Sequence, residues 1–302
     1  MIAEKYTFPA NDSGFDAVFR EYRAIFEKQL RTVCDSFCDN GAKYKALYDA
    51  ASYSLEAGGK RIRPVLAFEM CRVCGGDIND AVPAAVAVEM IHTFSLIHDD
   101  LPCMDDDDMR RGRPSCHKAH GEVVALLAGD ALSAYAGKYI CDSDLSAEKK
   151  TAMIKELYDR TLGMIEGQTI DTDGKFDTLD GLLSMYEMKT SELLTAASVM
   201  GCIAAGADEE KISAARAYAH DVGLAFQIVD DILDVTSTAE ELGKPIGSDA
   251  QQEKTTSVTL LGLDKARELA KKYTEGAEKA LSAFENNEFL CRLTDLLLNR
   301  KN

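Results

Sequence analysis

The 302-residue chain is poor in the residues that interrupt helices, with 21 Gly and 6 Pro. Long helices are therefore permitted over most of its length. No alternating apolar–polar run marks a strand, and neither a short-period repeat nor a linker divides the sequence. Positive charge is also scarce: 34 Lys and Arg stand against 51 Asp and Glu, a formal net charge of −17. That balance excludes nucleic acid and anionic membrane surfaces as expected partners, because both need basic patches. The start, MIAEKYTFPANDSG, has neither the basic nor the apolar segment of a secretion signal. No uninterrupted apolar run reaches the length of about 18 residues that a membrane span needs, and the longest, Ala81 to Ile91, contains Glu89. Nine cysteines, an odd number, are scattered without a metal-binding pattern. Cys71 and Cys74 are spaced to pack one helical turn apart. Free thiols in a cytoplasmic setting are the expectation.

What is present is helical periodicity. Phe15, Val18, Phe19, Tyr22, Ile25, Phe26, Leu30 and Val33 recur at steps of three and four. Further helices are expected over residues 42–57, 65–74, 80–98, 119–141, 146–170, 179–206 and 214–235. Two amphipathic ones follow over residues 262–300. The whole reads as a single all-α domain, residues 1–302, a bundle of about ten or more long helices around a central cavity.

Three segments depart from simple amphipathicity. The first is HTFSLIHDDLPCMDDDDMRRGRPSCH, from His92 to His117. It holds Asp99, Asp100, Asp105, Asp106, Asp107 and Asp108, and then Arg110, Arg111 and Arg113. Carboxylates are hard oxygen donors suited to Mg²⁺, and arginines are forked donors suited to phosphate oxygens. A polyanionic ligand approaches six carboxylates only if cations lie between them. A solvated acidic loop beside a basic turn has the same composition. Pro102 stops the helix, so a local loop must bring Asp99 and Asp105 together if both bind metal. The second segment is GGKRIRP, Gly58 to Pro64. Its Lys60, Arg61 and Arg63 crowd the positive end of a helix, an arrangement that an anion relieves. The third is FQIVDDILDV, where Asp230 and Asp234 share one helix face about 6 Å apart. Carboxylates on an apolar helix are costly to bury without a cation. Lys189 within MYEMKTSELLTAAS reads either as a ligand-binding lysine or as one extended along an exposed face.

Together these segments resemble the trans-isoprenyl diphosphate synthases over about residues 25–270, most closely the bacterial-type farnesyl diphosphate synthases. The resemblance implies that Asp99, Asp100 and Asp105 form a first metal motif and Asp230, Asp231 and Asp234 a second. The two would hold about three Mg²⁺ ions on an allylic diphosphate. It implies that Arg110, Lys189, Thr190, Gln227, Lys244 and Lys254 grip that diphosphate. Lys60, Arg63, His92 and Arg111 would hold isopentenyl diphosphate. The implied reaction is head-to-tail condensation through an allylic carbocation, using dimethylallyl and geranyl diphosphate. Phe94, with the insertion Pro102-Cys103, implies a fifteen-carbon product, and Ser95 lies one turn before Asp99 on the same helix. A geranylgeranyl product is the alternative, and a homodimer is expected. A terpene cyclase has no use for GGKRIRP, and an inactive partner subunit would be expected to have lost aspartates.

Overall fold

The computed structural model describes residues 5–10, 14–38, 44–172, 174–236 and 254–298. The chain is all-α apart from one hairpin of two-residue strands. Its contacts divide it into two compact units, Met1–Leu157 with Met200–Gly206, and Tyr158–Val199 with Ala207–Asn302.

The first unit contains α1 (Phe15–Cys38), α2 (Lys45–Leu55), α3 (Ile62–Val73), α4 (Ile78–Asp99), α5 (Cys116–His120) and α6 (Glu122–Cys141). Between α4 and α5 runs the hairpin β1 (Met109–Arg110) and β2 (Arg113–Pro114), which pairs Met109 with Pro114 and Arg110 with Arg113. The central helix is α4. It is apolar on all sides, and every residue from Ala81 to Ile91 is buried, the signature of a core helix. It begins at Ile78, two residues before the expected start, because the Asp77 carboxylate accepts the Asn79 N–H at 2.9 Å. Pro83 therefore falls in the second turn and costs one helical hydrogen bond.

By length and mean hydropathy α4 and α6 both pass for membrane-spanning helices, although charged residues interrupt the apolar run of each. Inside the protein, 72% of the apolar window of α4 is buried, against 44% of that of α6. Only α4 is thus largely consumed by the core. Small residues let α6 lie close against α4. A Cβ on Gly129 would stand 2.2 Å from His98 Nε2, which itself lies 2.9 Å from the Leu126 carbonyl.

The second unit contains α8 (Leu179–Tyr186), α10 (Glu209–Thr236), α11 (Ser257–Leu261), α12 (Leu263–Leu281) and α13 (Glu288–Leu298), together with the larger parts of α7 (Ala147–Asp171) and α9 (Glu192–Ala205). Helices α10 and α12 pack on each other. Their core joins Leu182, Met185, Tyr186, Leu224, Ile228, Ala266 and Ala270. The helix expected over residues 179–206 is interrupted by a π-helical turn, Glu187–Ser191. Gly167 and Gly223 make room for that turn. A Cβ on Gly167 would lie 2.6 Å from the Lys189 nitrogen, and one on Gly223 would lie 2.1 Å from Ser191 Oγ.

Candidate functional site

The end of α4 and the loop after it carry the first aspartate cluster. The Asp105 N–H donates to the Asp99 carbonyl at 2.8 Å, and the Asp106 N–H donates to the Leu101 carbonyl at 3.1 Å. The chain thus folds back after Pro102 and sets Asp105 beside Asp99. The adjacent Asp100 has other work. It is 2% exposed, and Arg110 donates to its Oδ1 through Nε at 2.9 Å and also through Nη2. Burial pushes the Asp100 carboxyl up from its usual range, and Arg110 opposes that shift. Arg110 also reaches Asp107 at 3.2 Å. The pair fastens the hairpin to α4.

A group of cations lies in the same unit. Arg61 is buried, with a left-handed φ of 56°. It bonds Glu27 and Glu89 at 2.7 Å each, and the Leu55 carbonyl at 2.7 Å. Arg61 is therefore neutralised within the fold. Arg63 is different: its Nε is buried without a partner, and burial and nearby Arg111 lower its pKa despite Glu89. Arg111 bonds the Gly58 carbonyl and passes over Gly59, where a Cβ would lie 2.9 Å from its Cζ. Gly59 is required by that close approach and by its φ of 133°. Burial is also the largest influence on His92, followed by Arg63, Arg111, Arg61 and Arg110, and together they hold it neutral, well below its ordinary value. Arg63 and Arg111 thus form a like-charged, partly desolvated pair beside neutral His92, and an anion would stabilise them. Lys60 stands exposed beside it. A shallow cleft is lined by Tyr53, by Thr93, Leu96 and Ile97 of α4, and by Arg110, Arg111 and Arg113. The Thr93 hydroxyl is buried and unpartnered.

Phe94 is 9% exposed and packs edge-on against the His98 ring, 5.0 Å between centroids. Ser95, half-buried, donates to the His92 carbonyl at 3.0 Å.

In the second unit, Asp231 is 7% exposed. Its Oδ2 accepts from the Tyr186 hydroxyl at 2.6 Å, the Ser257 N–H at 2.7 Å and the Ser257 hydroxyl at 2.6 Å. Asp231 therefore pins α8 and α11 to α10. Asp230 is half-buried and Asp234 buried, one turn apart on α10. Lys189 sits in the π-helical turn and pairs with Asp171 at 2.5 Å. Such turns are frequent at functional sites. Thr190 and Gln227 are half-buried, as is Lys254, which stands at the start of the segment leading into α11. Lys244 lies outside the described residues.

Carboxylates suit a hard divalent cation. Asp105 is exposed and is held beside Asp99 by the backbone. The residues present therefore fit Mg²⁺, with Asp99 and Asp105 the candidates in the first motif. In the second motif the candidates are Asp230 and Asp234, one turn apart on α10. The sequence did not mark Arg110 as the partner of Asp100, or Tyr186 as the partner of Asp231. It also left unmarked a compact group of Asp106, Asp108 and His117.

A family model described as polyprenyl synthetase matches residues 44–287. A "Geranylgeranyl pyrophosphate synthase, chloroplastic" from Catharanthus roseus is 46% identical over 79% of this chain and 69% of its own. Among solved structures, a geranylgeranyl pyrophosphate synthetase from Pyrococcus horikoshii superposes with a TM-score of 0.83 at 29% identity. That match covers 93% of this chain and 99% of the other. A putative farnesyl-diphosphate synthase from Marinomonas superposes with a TM-score of 0.78 at 34% identity, covering 93% and 98%.

Proposed function

Because this chain belongs to the polyprenyl synthetase family, we propose that it is a Mg²⁺-dependent prenyltransferase making geranylgeranyl diphosphate. It would do so by adding isopentenyl diphosphate head to tail to an allylic diphosphate. The observation that carries the twenty-carbon product is the name of the Catharanthus relative at 46% identity. This reading replaces the fifteen-carbon product that the sequence implied.

Asp99, Asp105, Asp230 and Asp234 would hold the metal. Bound Mg²⁺ would neutralise charge building on the departing diphosphate. Lys189, Thr190, Gln227 and Lys254 would grip the allylic diphosphate, with Lys244 from outside the described residues. Arg110 would join them while keeping its bond to Asp100. Arg63, Arg111 and Lys60 would hold isopentenyl diphosphate, whose charge relieves their mutual repulsion. Neutral His92 donates an N–H to it without adding to that repulsion. The allylic carbon–oxygen bond breaks, the isopentenyl double bond attacks the cation, and the released diphosphate takes the proton lost from the adduct. Apolar walls keep water from the cation. No side-chain nucleophile takes part.

A fifteen-carbon product is the second reading. One observation favours it: the bulky Phe94 ring lies one turn before His98, just ahead of the first aspartates. In this reading Phe94 stops the growing chain. A homodimer and a cytoplasmic setting belong to the proposal too. The exposed apolar face of α6 supports the former, and eight free thiols among the described residues support the latter.

The test is product size. The protein is incubated with Mg²⁺, isopentenyl diphosphate and, separately, five-, ten- and fifteen-carbon starters, and the dephosphorylated alcohols are sized. Geranylgeraniol from all three supports the main reading. Farnesol from the first two and nothing from the third supports the second, and Phe94→Ala should then lengthen the product. No elongation from any starter overturns both.

A further inference from the structure

Outside the carboxylates assigned above, one ligand atom each from Asp106, Asp108 and His117 lie within 4.8 Å of one another. An acidic pair on an exposed loop has no meaning by itself. The histidine gives it one. His117 is 5% exposed, and its Nε2 is buried without a hydrogen-bond partner. Its Nδ1 lies 3.1 Å from Ser115 Oγ, which is itself buried. In the tautomer whose Nδ1–H donates to Ser115 Oγ, the imidazole presents a free lone pair on Nε2, the usual arrangement of a metal-bound histidine. The backbone supports the grouping. The Ser115 N–H donates to the Asp108 carbonyl at 2.9 Å, which sets the loop against the start of α5.

We infer that Asp106, Asp108 and His117 form a second cation site, separate from the Mg²⁺ carboxylates and selective for a borderline transition ion such as Zn²⁺. One imidazole and two carboxylates match the ligand preference of such ions, whereas Mg²⁺ favours oxygen donors alone. Three protein ligands leave a fourth position for water. A competing charge is Lys118, which holds Asp108 Oδ1 at 2.7 Å. That ammonium is 42% exposed and returns to solvent when a cation takes the carboxylate. The occupied site would staple the loop bearing Asp105 to α5. It requires nothing of the reaction proposed above.

The test uses the full-length protein, stripped with a chelator and held in millimolar Mg²⁺ to fill oxygen-only sites. Zn²⁺ is titrated calorimetrically, and Co²⁺ is followed by visible absorption. One Co²⁺ per chain with weak d–d bands is expected. His117→Gln and Asp106→Asn should abolish it, and Ser115→Ala should weaken it about 10–100-fold. Because His117 is buried, Asp106→Asn on the exposed loop keeps the test valid if His117→Gln does not fold. Prenyl transfer in Mg²⁺ should persist in Asp106→Asn. Co²⁺ binding unchanged by these substitutions, or lost only in Asp105→Asn, overturns the inference. So does intense near-ultraviolet thiolate charge transfer, which would place the ion on an exposed thiol such as Cys103 or Cys141.

Discussion

Asp105 and Asp231 are both members of aspartate clusters, yet their surroundings differ completely. Asp105 is exposed, whereas Asp231 is buried beneath three donated hydrogen bonds. Asp105→Asn should therefore lower kcat about 10²–10³-fold, the scale of losing one electrostatic stabiliser. Its unfolding free energy should stay within about 0.5 kcal/mol of the parent. Asp231→Ala should cost about 3 kcal/mol, read from urea midpoints, because it strands buried donors. A stable Asp231→Ala protein would contradict the structural role. Two histidines give opposite pH signatures. The folded His92 pKa lies well below 6.5, so on acidification the unfolded chain takes up a proton that the folded one refuses, and stability falls below about pH 6.5. His220 is raised above 6.5 by its bond to Asp221, against burial and with help from Glu187. Its contribution is full below about pH 6.5 and is lost as pH rises through the folded value. In a pH series of urea melts, His92→Gln should flatten the limb below about pH 6.5 and His220→Gln the limb above it. An acid limb unchanged in His92→Gln would argue against a buried neutral imidazole.

Among the elements, the join of α1, α2, α3 and α4 depends on Arg61. This one guanidinium bonds Glu27 of α1, Glu89 of α4 and the last carbonyl of α2. Glu89 is 2% exposed. Glu89→Ala should destabilise by about 3–5 kcal/mol, because it leaves Arg61 buried and partly unpaired. The double variant Arg61→Met with Glu89→Leu should recover much of the loss in calorimetric unfolding. If Glu89→Ala melts like the parent, the triad contributes nothing. These partners also mark the limit of what the sequence can say. The helices were legible because apolar periodicity is local, and GGKRIRP stood out because cations gathered at a helix start violate a local rule. Glu89 was visible as a break in an apolar run, but its partner lies 28 residues away. Likewise, Asp230 and Asp234 were readable as one face from helical geometry. Asp231 points elsewhere, and its partners Tyr186 and Ser257 come from distant segments. The π-helical turn at Lys189 had no propensity signal, since it follows from close packing against Gly167 and Gly223.

For the molecule as a whole, a net charge of −17 surrounds a small cationic group. Anion recognition is therefore a local property of α3, α4 and the hairpin rather than of the overall field. The composition of α6 adds a second whole-molecule argument. Its small residues Ala125, Ala128, Gly129 and Ala136 are buried, and these pack toward the core. On the same helix Val123 is 70%, Leu126 45% and Leu127 50% exposed. A row of large aliphatic side chains left in water on an otherwise well-packed helix is the mark of an association surface. If a second copy covers it, a charge placed there must be desolvated at the interface while leaving the monomer fold intact. Leu127→Glu should then shift the protein from dimer to monomer in sedimentation equilibrium, with an unfolding curve at low concentration close to that of the parent. A parent that sediments as a monomer at micromolar concentration, or a dimer indifferent to Leu127→Glu and Val123→Glu together, would remove α6 as the self-association face.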